Sequence, residues 1–425
     1  MLLSNSFFKQ LLPAALFVCL FSAASHAAVP PQPWPKDPFL PLTDARIASL
    51  PEAEQVAWRK YLEVSRRVRD TLPAVTEPEF SPTQPLKEPL RGAARAKGLK
   101  ANGDATWFGS AEAQAQADRV VEWQSGAGGW SKSNDYSISP RENKTKSDAW
   151  SAGTFDNNAT ILEMRFLARA IAATHDEKRA DTWKASFLRG LQYIFNAQYP
   201  NGGFPQIYPL AGGYHDAITY NDNAMMRVLE LLQEIAAGGP DYIFVPPEQR
   251  AEAARRLALG IECVLKTQIV ETSGRRTVWC QQHDMLTLQP CAARNFEPIA
   301  ACTGESVSLV KFLMRLPKPS PETTKAVDAA MAWFEKVAIH NRVLDRKSPQ
   351  RHLVPEEGAK PLWARMYEIE TDRPIFGDRD RTIHYELGEI SAERQRGYAW
   401  YGEWPDTVLN DYKKWHAKSG EPSRP

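Results

Sequence analysis

The sequence has no excess of charge of either sign: 52 Lys and Arg stand against 51 Asp and Glu, leaving +1 over 425 residues. A nucleic-acid binder ordinarily carries a basic surplus, so the balance argues against one, although a local patch for an anionic ligand can hide within it. Beyond the first 27 residues no stretch is apolar enough to span a bilayer, which takes about 20 residues. Cysteine is scarce. Cys19 lies in the leader, and the rest of the chain keeps Cys263, Cys280, Cys291 and Cys302. There is no Cys-x-x-Cys pair and no histidine at zinc spacing, so a structural zinc site has no support. One or two disulfides and a set of buried thiols are both compatible, and four cysteines allow three pairings. Alternating strand-like runs are few. With 43% hydrophobic and 24% charged residues, the chain is too apolar for disorder and long enough to bury a large core.

What is present begins with an export signal. Lys9 precedes an apolar run, Leu11 to Ala24, and Ser25-His26-Ala27 fits a small-x-small cleavage site. Residues 1–27 read as a signal peptide, and the mature protein as secreted or periplasmic, free of the membrane. Residues 28–92 form an N-terminal helical and linker region. Within it, Ile47, Leu50, Val56, Trp58, Tyr61, Leu62 and Val68 give helical spacing over 44–69, and five prolines fill 72–92. The remainder, 93–425, reads as a single domain of mainly α character. Its periodicity predicts helices over 159–173, 180–198, 224–237, 247–268, 306–316 and 322–341.

An internal repeat organises this domain. Three segments share a helix ending in Gln, a loop and an aromatic: Gln124 to Trp130, Gln198 to Phe204, and Gln268 to Trp279. From Trp130 to Phe204 is 204 − 130 = 74 residues, and from Phe204 to Trp279 is 279 − 204 = 75. After each loop a second helix begins, at Asp156-Asn157-Asn158, Asp222-Asn223 and Gly304-Glu305. Each unit is a helix pair that cannot bury its apolar face alone, so the pairs must close or stack. The expected fold is an α/α toroid of three helix-pair repeats, with the loops gathered at one mouth.

The loops carry the chemistry-bearing residues. Asp156 and Asp222 each stand before a helix, where an Asp can simply cap free N–H groups. Two repeat-related clusters of Asp and Asn are also the hard oxygen donors that calcium takes, and His215-Asp216 adds a carboxylate. Arg294 precedes Asn295-Phe296-Glu297-Pro298, where an ion pair with Glu297 is the plain reading. Arg365, Arg373, Arg379 and Arg381 form a second basic set. An arginine fork matches a carboxylate, so such loops suit an acidic sugar chain, and the 13 Trp include candidates to flank it.

Several segments in order resemble family 10 polysaccharide lyases, the pectate lyases with an α/α toroid. They are Thr154 to Thr160, Ala197-Gln198-Tyr199-Pro200-Asn201-Gly202-Gly203-Phe204-Pro205-Gln206, Ile218 to Met225, and Val278-Trp279-Cys280-Gln281-Gln282-His283-Asp284. Arg294 to Pro298, Ala364 to Ile369, Arg373-Pro374-Ile375-Phe376 and Gly397-Tyr398-Ala399-Trp400-Tyr401-Gly402 complete the set. The resemblance covers about 105–415 and leaves out the N-terminal helices. Ser131 departs from it, standing where the pattern has Pro. What the resemblance implies is calcium-dependent β-elimination of polygalacturonate to unsaturated oligogalacturonides by a monomer. It carries the base onto Arg294 and the calcium-binding carboxylates onto Asp222 and Asp156. Lys132, Asn157, Tyr220, Arg365, Arg373 and Arg379 become substrate contacts. A guanidinium normally stays protonated, so an arginine base needs nearby positive charge and an alkaline optimum. The alternatives are an exported toroid glycoside hydrolase, using Asp156 and Asp222 as its two acids, and a non-catalytic binder of acidic oligosaccharides.

Overall fold

The computed structural model describes residues 32–33, 40–72, 96–132, 134–140 and 149–419. The expected signal peptide and almost all of the proline-rich linker lie outside the described residues. At the N-terminal side two helices form where one was expected, α1 (Asp44–Ala48) and α2 (Glu52–Asp70). Pro51 separates them: it has no N–H to give and disfavours helical backbone at Leu50. Thr43 caps α1 by accepting from the Arg46 amide. The pair is seated on the rest of the molecule by Trp58 and Tyr61, whose rings lie 5.4 and 4.9 Å from that of Tyr199, and by an ion pair from Arg46 to Asp284 at 2.7 Å.

The toroid that follows is mainly α. Outer helices α3 (Ala111–Glu122), α5 (Glu177–Ala197), α7 (Pro247–Lys266) and α9 (Pro321–Lys336) alternate with inner helices α4 (Ile161–Ala173), α6 (Ala224–Ala237), α8 (Thr303–Met314) and α10 (Asp406–Ser419). The inner helix α6 packs against both α4 and α8, and α8 also packs against α10. Burial follows that placement. α6 is buried at Ala224, Met225, Met226, Val228, Leu229, Leu231, Leu232 and Ile235. The outer α5 buries one stripe, with Trp183, Phe187, Leu191 and Ile194 at three-and-four spacing. Short antiparallel strands tie the loops together. Gln282–His283 lies between Ile218–Thr219 and Pro290–Cys291, Ala301–Cys302 pairs with Met366–Tyr367, and Trp363–Ala364 pairs with Tyr401–Gly402.

The repeat is visible atom by atom. Trp130, Phe204 and Trp279 are all buried. The indole of Trp130 donates to Val120 O and that of Trp279 to Val264 O, both at 2.7 Å. Each glutamine joins two units through one amide group. Gln124 donates to Gly128 O and Ser186 O, Gln198 to Gly202 O and Arg256 O, and Gln268 to Thr277 O and Ala326 O. Gly202, at φ 91°, lies so close to α7 that a Cβ would stand 2.1 Å from Leu259 O, so only glycine fits. A fourth unit follows the three that were expected. Trp363 donates its indole N–H to Phe334 O at 2.9 Å, the bond that Trp130 and Trp279 make. Its loop holds a hairpin, Arg342–Asp345 against His352–Pro355, and that inserted length hides the spacing in the sequence. All four described cysteines are buried free thiols, so the thiol alternative holds over disulfides.

Candidate active site

The turns before α4 and α6 are not ordinary caps. Neither helix has a side-chain cap bond. Asn157 and Asn158 sit at φ 50° and 71°, and Asp222 and Asn223 at φ 51° and 62°. This left-handed backbone is uncommon outside glycine, tolerated best by Asn and Asp, and costs energy that a plain cap would not require. The repeat sets the two turns side by side, and the start of α8 packs against the second. Asp156, Asp222 and Glu305 thus come from successive units to one place. Lys132 reaches in from the first loop and binds Asp156 Oδ2 at 2.8 Å. Asp222 is an exposed residue. Its carboxyl is nevertheless largely desolvated by its surroundings, and that, with the neighbouring charge of Asp156, pushes its pKa up to about 6.

Buried oxygens here lack a hydrogen-bond donor among the described residues: Asp156 Oδ1, Asn158 Oδ1 and Gln206 Oε1 by the first turn, and Glu305 Oε2 on the next unit but one. Gln206 belongs to this place because its carbonyl accepts from Phe155 N at 3.0 Å and Thr154 Oγ1 at 2.7 Å. Buried acceptors without donors are costly unless something electropositive meets them. Among the described residues no group of three or more His, Cys, Asp or Glu is close enough together to hold a metal ion by itself. A hard cation here would therefore rely on amide oxygens beside Asp156 and Asp222, which suits calcium better than a transition metal.

The facing wall is cationic. Arg294 lies in the strand-linked loop after Cys291, where Glu297 takes its Nε at 2.7 Å and its Nη2 at 2.5 Å in a fork. Arg365 is held by Glu305 in a second, nearly buried pair. Both arginines and both acids influence Asp222 or one another. Burial alone would lower the Arg294 pKa, but the charge and hydrogen bonds of Glu297 override it and hold that pKa well above the usual guanidinium value. The fork therefore opposes the base role that the resemblance implies. His215, stacked on Tyr214 at 4.0 Å, has its pKa pushed down to about 3, by burial first and by Lys132 second. It is a neutral imidazole within reach of the charges of Lys132, Asp156 and Arg294.

Other expected residues fall elsewhere. Tyr220 is a core residue and not a substrate contact: it is 1% exposed, and its hydroxyl is 2.6 Å from Thr267 Oγ1. Asp216 does not join the acid cluster. Its carboxylate accepts from the Ala211 and Gly212 amides, and burial lifts its pKa to about 7. Arg373 is exposed and lies over Tyr385 at 3.6 Å, with no contact to Arg294 or Arg365 among those described. Arg379 pairs with Glu393 at 2.9 Å and stands 5.5 Å from the Phe296 ring, which Arg294 also overlies at 4.8 Å. Asn157 is half-buried beside Asp156, its amide nitrogen 3.5 Å from Asp156 Oδ2. The sequence assigns Gln206 and Glu305 no role, names His215 only beside Asp216, and marks Asn158 as an oxygen donor and Glu297 as a plain ion-pair partner. Glu305 had a usable signal, since it follows the third loop as Asp156 and Asp222 follow the first two.

The sequence model of a family described as pectic acid lyase matches residues 124–409. Among solved structures, the chain is similar to a family 10 polysaccharide lyase from Cellvibrio cellulosa, with a TM-score of 0.64 and 32% identity over 76% of this chain and 99% of that one. It is likewise similar to an Asp-to-Ala mutant of a family 10 polysaccharide lyase from Cellvibrio cellulosa in complex with trigalacturonic acid. There the TM-score is 0.62 and the identity 31%, covering 74% of this chain and 98% of the other. No curated protein sequence matches the chain significantly.

Proposed function

The chain belongs to the pectic acid lyase family, and from this we infer that it is an exported, calcium-dependent lyase that cleaves polygalacturonate by β-elimination. One observation supports the reading above the rest. Two strained acid turns, the first with undonated oxygens, face two carboxylate-paired arginines across a single site. The acids and arginines together suit a polyanion that arrives with a divalent cation. Neither half alone would select it.

In the reaction, the C5 proton of a uronate leaves, the C4–O bond breaks, and a C4=C5 double bond forms. The leaving oxygen takes a proton from solvent. Asp156, Asp222 and the Asn158 and Gln206 amides are the residues that would hold calcium. Bound there, calcium would supply Lewis-acid stabilisation of the charge that develops on the uronate carboxylate. Arg365, fixed by Glu305, and Lys132 orient carboxylates, and Arg379 extends the grip along the chain. His215 contributes a neutral donor or acceptor that does not compete for the anion. Arg294 is proposed as the proton acceptor. Because Glu297 holds it as a cation, acceptance requires the fork to yield, and turnover is expected to rise toward alkaline pH.

The pairing of Asp156 with an Asp222 whose pKa is raised also suits a general acid, which is what the hydrolase alternative would need. The test is incubation with polygalacturonate in calcium and then in excess chelator. Ultraviolet absorbance follows the conjugated double bond, and reducing ends follow any cleavage. Absorbance that grows with reducing ends and stops in chelator is the expected result. Reducing ends without absorbance would establish hydrolysis, and binding with neither would leave a binding protein.

A further inference from the structure

The motif Gly397-Tyr398-Ala399-Trp400-Tyr401-Gly402 has no part in the chemistry above, yet Tyr398 lies between its two cations. Its hydroxyl accepts from Gln281 Nε2 at 2.8 Å and donates to Glu297 Oε1 at 2.9 Å. Its ring stands 5.9 Å from the Arg294 guanidinium carbon and 4.8 Å from that of Arg365. Gln281 Nε2 also reaches Glu305 Oε1 at 3.3 Å. One continuous chain therefore runs Arg294, Glu297, Tyr398, Gln281, Glu305, Arg365.

The geometry of that chain has a specific weakness without Tyr398. The Arg294–Glu297 pair is local to a four-residue turn: Glu297 bonds the side chain and amide of Arg294, and their backbones bond each other. Such a pair is rigid within itself but does not fix where the turn stands. The Tyr398 hydroxyl links Glu297 to Gln281, on the strand-bearing loop, and through it to the start of α8. Tyr398 is itself well anchored. Its ring packs at 4.8 Å on Trp400, whose indole donates to Arg394 O at 2.9 Å, and at 5.3 Å on Phe296. A phenol held by both edges and hydroxyl is a stiff spacer, since it has few rotatable bonds.

We infer that Tyr398 is a positioning residue of the lyase site, holding the Arg294 and Arg365 guanidinium groups in one register over the acid turns. The inference rests on the lyase reading for its kinetic readout, and on chemistry alone for a second. Tyr398→Phe keeps the ring and removes the hydroxyl. On polygalacturonate with calcium, kcat is expected to fall about tenfold while KM stays within about threefold, the size of one lost hydrogen bond made for orientation and not for grip. Independently of activity, phenylglyoxal modification of the Arg294 peptide, followed by mass spectrometry, is expected to accelerate in the variant. Arg255, paired with Glu252 on the outer helix α7, serves as the unchanged reference.

Unchanged kcat together with unchanged Arg294 labelling overturns the inference, as does a KM rise at constant kcat. If the parent shows no lyase activity, the functional reading fails, and the labelling ratio alone decides the role of Tyr398. Should Tyr398→Phe not fold, Gln281→Met breaks the same chain one link away and must produce the same acceleration at Arg294. A folded Gln281→Met with parental labelling overturns the inference equally.

Discussion

Glu163 is an acid with no exposure at all, on the inner helix α4. It accepts from the Tyr136 hydroxyl at 2.7 Å, and its other oxygen has no partner among the described residues. Burial raises its pKa from 4.5 to about 7, against the partial relief of the Tyr136 bond. The folded state therefore binds this proton more tightly than the unfolded chain. The stabilisation is complete below about pH 4.5 and is lost as pH rises through about 7. A rise from 4.5 to about 7 is worth roughly 3 kcal/mol at most. Glu163→Gln keeps the shape and the acceptor for Tyr136 but cannot ionise. Near pH 5 the variant is expected to equal the parent or fall about 1 kcal/mol below it, the cost of a buried amide short of a partner. Near pH 8 it should be about 2 kcal/mol more stable. Urea unfolding at each pH measures this, and the two stability curves should cross. Asp216, also lifted to about 7, keeps its own slope in both proteins. Parallel curves across this range would show that Glu163 is not the proton-binding group and that the reasoning from its burial is wrong.

Asp222→Asn keeps a residue that tolerates the left-handed turn, so stability should stay within about 1 kcal/mol while lyase activity falls on the order of a hundredfold; thermal melts and initial rates separate the two. Arg365→Ala strips the partner from the buried Glu305 and is expected to cost about 3 kcal/mol or more in urea unfolding. Arg379→Ala opens only a half-exposed pair with Glu393, so it should leave stability within about 1 kcal/mol and act through a higher KM.

The sequence exposed the repeat because Gln, Gly and the buried aromatic each answer a fixed structural demand. The glutamine amide closes its own loop, the glycine lets α7 approach, and the aromatic fills the space between helices. Those demands recur, so their spacing shows. The fourth unit escaped because a hairpin separates Val337 from Trp363, and periodicity fails wherever loop length is free. Asp156 and Asp222 were legible as a pair, but their left-handed backbone was not, since Asn and Asp at a helix start suggest a cap just as well. Tyr220 misled for a related reason: it adjoins the acid turn in sequence, yet its ring is buried against His283 and its hydroxyl meets Thr267. His215 and Gln206 carried no local signal, because their importance comes from Phe155 and Lys132 on another unit. Arg294 and Glu297 announced their ion pair by spacing, and only the structure shows how firmly it opposes deprotonation.

The three glutamines carry a further consequence. Gln124 reaches Ser186 on the second outer helix, Gln198 reaches Arg256 on the third, and Gln268 reaches Ala326 on the fourth, so each fastens its own unit to the one that follows. The fourth unit has Ala338 four residues after Phe334, where the first and third have Gln124 and Gln268 four residues after Val120 and Val264. Among the described residues no fifth outer helix follows for a glutamine to reach. Three junctions thus have three fasteners, and the unit without a successor has none. The ring is linked in one direction, like a row of shingles in which each lies under the next. Loosening at the first junction would be passed along the row, whereas the last unit is free to vary its loop. The hairpin insertion stands in that unit.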